Sequence, residues 1–237
     1  MNGAPLALAL AAAAVFVSAA RRGSRDVGPS DDEDGLLRNR DGTPRVLYHQ
    51  TAPQARQAIG RQGFRIDKIR NRGADKEMPD GVFVKLTPDP LGVGGAQVPV
   101  TVRITNPLHV RDRDQLRDWL TRESPEYGRA RLDAETVDWE HKALWEAAWN
   151  NPPKRGPSTD PRAQKAHVEH MARLKQITDA WSAASDEASA AVRAVVTSAL
   201  LAHGYDSLWM KRDEGTRGRA VETLVVLDPR RVTVHHP

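Results

Sequence analysis

The chain has 237 residues, of which 39% are hydrophobic and 28% charged, with a formal net charge of +4. That length bounds one domain of moderate size with accessory segments, and that balance excludes a chain dominated by disorder. The absence of cysteine excludes disulfides, thiol nucleophiles and cysteine-ligated zinc, and Arg alternates with Asp and Glu along most of the chain, so no basic block points to nucleic acid.

Residues 3–20, GAPLALALAAAAVFVSAA, form an uncharged apolar run about as long as a helix that crosses a bilayer. Arg21, Arg22 and Arg25 follow it and no Lys or Arg precedes it. The pattern predicts an N-terminal hydrophobic helix that anchors the protein in a membrane, with the following domain on the cytoplasmic side. The VSA at 17–19 offers a cleavage site and with it the alternative of export, and a soluble Ala-rich helix is the plain alternative. Residues 21–44 mix charge blocks with Gly and Pro and read as a flexible linker. The folded domain is expected over 45–237, with a helical insertion at about 111–203.

The domain opens with RVLYHQTAPQARQAIGRQGF. VLYH has strand character, and its period of two puts Leu47 and His49 on one face. Thr51 is the expected N-cap and Pro53 falls in the first turn, so a helix is predicted from about Ala52 to Arg61, stopping at Gly63. His49 therefore sits at a strand-to-helix junction, where backbone donors and a side chain meet at the mouth of a sheet. A turn at Pro79–Gly81 leads into a strand VFVKLT, and VPVTVRITNPLHV reads as one further β-run with Val98, Val100, Val102 and Ile104 alternating.

From 111 onward the pattern is helical. DQLRDWLTR begins with an Asp cap signal, and Leu144, Trp145 and Trp149 fall in one helical patch, a feature that more often belongs to a core than to a surface. After the Pro-rich break NNPPKRGPSTDP, a long helix is predicted from about Pro161 to His203, with Leu174, Ile177, Trp181 and Ala184 at helical spacing. His167 and His170 share a face there without a nearby third ligand, so they read as solvated and no metal site is expected. Gly204 ends the helix; strands follow around Asp206–Lys211 and in ETLVVL.

Five of these fragments, in this order, resemble the ADP-ribosyltransferase superfamily: LYHQT, GVFVKLTPDP, VTVRITNPLHV, HGYDSLWM and ETLVVLDPRRV. The similarity is to the branch whose His-aromatic-Glu triad is shared by the poly(ADP-ribose) polymerases and by domains of phage and toxin proteins, and it covers about 45–110 and 200–234. It implies an α+β fold with a split β-sheet core, and an enzyme that uses NAD as substrate to modify a protein or other macromolecular acceptor. His49 would bond the nicotinamide-side ribose with Thr51 in support, the backbone at Gln50 would grip the carboxamide, the Phe83 ring would stack on nicotinamide, and Glu222 would be the catalytic carboxylate. Gln50 stands where the family usually has Gly, and Phe83 where it commonly has Tyr. The strand from Glu222 has one more residue before Asp-Pro than many relatives, so a one-residue slip would present Thr223 instead.

Such chemistry needs these residue types. Losing nicotinamide leaves positive charge spread over the ribose, which a fixed carboxylate stabilises, and the same carboxylate can orient or deprotonate the acceptor. Taken singly, His49 is a structural hydrogen-bonder, Phe83 a core residue and Glu222 a solvated strand start. Two other readings share the fold: a catalytically inactive scaffold that binds NAD, ADP-ribose or a protein, and an RNA 2′-phosphotransferase.

Overall fold

The computed structural model describes residues 36–65, 77–88, 95–153, 160–214 and 220–235. The apolar run at 3–20 and most of the expected linker lie outside the described residues; among those described, no helix is long and apolar enough to cross a membrane.

Among the described residues the fold is α+β: one mixed sheet of seven strands with four α-helices and a single 3-10 turn at Pro229–Arg231. In chain order the elements are β1 (Leu47–Thr51), α1 (Pro53–Gln62), β2 (Val82–Lys85), β3 (Ala96–Val102), β4 (Pro107–Val110), α2 (Arg113–Glu123), α3 (Pro125–Trp149), α4 (Pro161–Ala202), β5 (Ser207–Glu214), β6 (Ala220–Val226) and β7 (Val232–Val234). Across the sheet the strands run β4-β5-β6-β2-β1-β3-β7. All neighbours are antiparallel except β4 and β5.

That parallel pair explains the helical region. Parallel neighbours cannot be joined by a tight turn and need a long crossover, and α2, α3 and α4 are that crossover. The region expected as an insertion is thus the connection between two adjacent strands. Its two ends are tied together by the motif residues themselves. Asp206 accepts from the Thr105 amide and hydroxyl, both at 2.7 Å, and from the Asn106 amide, while Asn106 Nδ2 donates to the Gly204 carbonyl at 2.9 Å. Burial works to raise the Asp206 pKa, but the Thr105 bonds prevail and hold it below the ordinary carboxylate value. The turn at Thr105 and Asn106 also divides the expected single β-run into β3 and β4.

Strand alternation gives the sheet two differently filled faces. On one face Leu108, Val110, Leu208, Met210 and Val225 meet Leu116 and Leu120 of α2, Tyr127 of α3 and Val192, Val196 and Leu200 of α4. On the other, Leu47, Val82, Val84, Val98, Val100, Val102, Leu224 and Val226 form a mostly β-branched layer against Ile59 of α1 and Phe64. Each fully buried aliphatic side chain here contributes about 1.5–3 kcal/mol.

The crossover extends beyond the sheet. α3 and α4 form a hairpin joined by the Trp181 indole donating to Asp138 at 3.2 Å. Trp145 and Trp149 stack at 5.1 Å, yet Leu144 and Trp149 remain 57% and 55% exposed. The apolar patch expected as core is therefore half in solvent, because only the sheet-proximal part of the hairpin has a layer to pack against.

Two local differences from expectation concern caps. Thr51 stays in the β1 ladder opposite Ala96, so Ala52 is the N-cap of α1, without a side-chain cap bond. The cap of α2 is Asp112, whose carboxylate accepts from the Gln115 amide at 3.0 Å. Gly63 ends α1 at φ +69°, a conformation that favours glycine.

Candidate functional site

The sheet is nearly divided in two. β1 pairs with β3 at five positions, and β2 with β6 at four. Between β1 and β2, by contrast, the paired position is Tyr48 with Lys85. Past it the strands part, and a cavity of about 480 Å³ opens between the end of β1, the start of β2 and α1. Its size falls in the range of small-molecule sites. His49, Gln50, Thr51, Gln62 and Arg65 supply its polar lining, and Ala55, Ala58, Ile59 and Phe64 an apolar wall; Gly81, Val82 and Phe83 close it from the β2 side.

His49 bridges the parting. Its Nδ1 lies 2.8 Å from the Phe83 carbonyl oxygen. A carbonyl only accepts, so Nδ1 carries the proton and Nε2 is the acceptor of the neutral ring. Burial pushes the His49 pKa below 6.5, against the Phe83 bond, which raises it. The ring edge meets Phe64 at 4.8 Å and 85°. A neutral, oriented imidazole with a free acceptor nitrogen suits a sugar hydroxyl.

Gln50 reaches across the gap on the helix-covered face, where its Oε1 accepts from Lys85 Nζ at 3.3 Å. The Phe83 ring packs on that same side, against the helix-side cluster. What Phe83 turns toward His49 is its carbonyl, and residues of both faces line one cavity because the sheet splits there.

The β2 wall is held by the crossover. Arg193, 7% exposed, donates to Asp80 at 3.1 Å, and the Asp80 amide donates to Thr197 Oγ1 at 2.9 Å. Arg117 Nη2 donates to Glu77 at 2.8 Å. At Gly81 the backbone passes so close to β6 that a Cβ would lie 2.7 Å from the Val226 carbonyl oxygen. Asp80, Arg193 and Gly81 thus set the cavity's shape. The Pro79–Gly81 turn was legible in the sequence, but its partners more than a hundred residues away were not.

Glu222 stands elsewhere. It lies on β6, next to β2, and alternation puts it on the same face as His49: Leu224 is opposite Val84, and Lys85, the neighbour of Tyr48, is opposite Thr223. It does not line the cavity. Its Oε1 accepts from the Trp209 indole at 2.7 Å, and the His109 ring lies 5.3 Å from Trp209. Burial holds the His109 pKa below the ordinary value, with Lys211 acting the same way and Glu222 opposing. Thr223, on the opposite face, donates to Asp213 at 3.1 Å. The structure therefore brings His49, Gln50, Thr51 and Phe83 to one cavity and sets Glu222 apart on an adjoining strand.

Among the described residues no group of three His, Asp or Glu side chains could hold a metal ion. No protein-family model, curated protein or solved structure matches the chain.

Proposed function

We propose that this protein is an NAD-dependent ADP-ribosyltransferase with an ADP-ribosyltransferase-like fold, acting on a macromolecular acceptor. The observation that carries the reading is the parting of β1 from β2: a cleft between two half-sheets, with His49, Gln50 and Thr51 on one lip and Phe83 on the other. The strands bearing His49, Phe83 and Glu222, namely β1, β2 and β6, are consecutive neighbours in the sheet. In the reaction the bond from ribose C1′ to the nicotinamide nitrogen breaks, and nicotinamide leaves as a neutral base with the electron pair. A lone pair of the acceptor forms the new bond to C1′, and the acceptor proton passes to Glu222 or to water. His49 Nε2 accepts from a ribose hydroxyl, and Glu222 stabilises the charge on the sugar.

A second reading, NAD or ADP-ribose binding without transfer, draws on two observations. The Phe83 ring packs on the helix side, and Glu222 lies outside the cavity. The full chain with adenylate-labelled NAD separates the two. Release of nicotinamide with label transfer or hydrolysis, reduced about 10²- to 10³-fold in Glu222→Gln, supports the enzyme. Saturable binding without release supports the scaffold, and the absence of both rejects each. The same proposal has residues 3–20 anchor the domain at a membrane; recovery of the full-length chain in the soluble fraction after lysis overturns that part.

A further inference from the structure

Glu222 is oriented by a specific partner. Trp209 stands opposite Leu224 in the β5–β6 ladder, so its side chain shares a face with Glu222 on the diagonal, within reach of a long aromatic. Indole N–H is a donor only, and its 2.7 Å contact with Glu222 Oε1 lies at the short end for a nitrogen donor, as a carboxylate acceptor produces. The indole is itself held: it packs on the aliphatic layer that contains Leu224 and Val84, and the His109 ring lies over it at an interplanar angle of 30°. One carboxylate oxygen is thereby engaged by a donor that holds the group in one orientation. Lys211 is the nearby cation on β5, and both it and Glu222 act on His109.

We propose that Trp209 is a positioning residue that fixes the orientation of the Glu222 carboxylate for the developing ribosyl cation, an inference that rests on the transferase reading. A preorganised carboxylate stabilises charge without reorganising at the moment of reaction, whereas a free one must be ordered each time. Trp209→Phe keeps a ring on the aliphatic layer and removes the donor.

Two measurements on the full chain test this. In ¹⁵N–¹H spectra the chain's six tryptophans give indole signals, and Trp209→Phe identifies one of them. That signal moves upfield in Glu222→Ala, because the charge-assisted bond is lost. In nicotinamide-release assays Trp209→Phe lowers kcat about ten- to a hundredfold while KM for NAD changes less than twofold. An indole signal unmoved by Glu222→Ala overturns the proposal, as does a Trp209→Phe kcat within twofold of wild type. If wild type releases no nicotinamide, the transferase reading fails and the indole signal alone decides whether Trp209 holds Glu222.

Discussion

The two half-sheets that flank the cleft are built differently. The half made of β4, β5, β6 and β2 is backed by the crossover helices, with large side chains such as Leu208, Met210, Leu120 and Tyr127 fully enclosed. The half made of β1, β3 and β7 is narrower, contributes no side chain to that helix-side cluster, and rests on the Val and Leu layer that it shares with β2 and β6 on the other face. α4 holds the Asp80 turn, and with it the start of β2, through Arg193 and Thr197. β1 instead pairs with β3 along its length and with β2 at Tyr48. The cavity lies on the boundary, where Tyr48 pairs with Lys85 and side-chain bonds from His49 and Lys85 cross between β1 and β2.

Each side of that contrast can be broken. Leu208→Ala, in the helix-backed half, leaves a cavity in a fully enclosed site; it should lower unfolding free energy by about 2–5 kcal/mol in denaturant titration. Gly81→Ala forces a methyl against the β6 backbone, with an expected loss of about 1–3 kcal/mol and, on the transferase reading proposed above, weaker NAD binding by calorimetry, since the cavity wall must shift. His49→Asn probes the join. Because burial lowers the folded pKa of His49, the stability it contributes is present above the unfolded value of 6.5 and is lost as pH falls through the lower folded value. The variant keeps a donor for the Phe83 carbonyl but cannot titrate, so thermal melts below pH 6.5 should fall less steeply than in wild type. Lys85→Met removes the bond to Gln50 across the gap and should cost about 0.5–1.5 kcal/mol or less. A larger loss there would mean that the halves are joined more firmly than the ladder suggests.

Much of the local structure is readable from residue pattern. Val98, Val100, Val102 and Ile104 alternate in sequence and all are buried, and Gly63 ends α1 where a helix stop was expected. The strand-to-helix junction at His49 was legible for the same reason: β-type residues give way to Pro53 within a few positions. Thr51 was misassigned as a cap because its pairing with Ala96 outcompetes the local signal. Trp209 carried no signal of its own, since its importance comes from a residue on the next strand. The exposed tryptophans of the hairpin are the converse case, apolar residues at helical spacing for which the fold supplies no covering layer.

What the sequence by itself determined is the helix stops, the strand alternation and the residue types at the end of β1, because these signals act over a few positions of chain. Tertiary structure alone decided that β4 and β5 lie parallel, that β1 and β2 part to form a cleft, and that Glu222 meets Trp209 outside it. Those outcomes depend on which strands pair and in what register. A shift of one residue reverses every side chain, and which register buries the apolar face depends on partner strands far away in the chain.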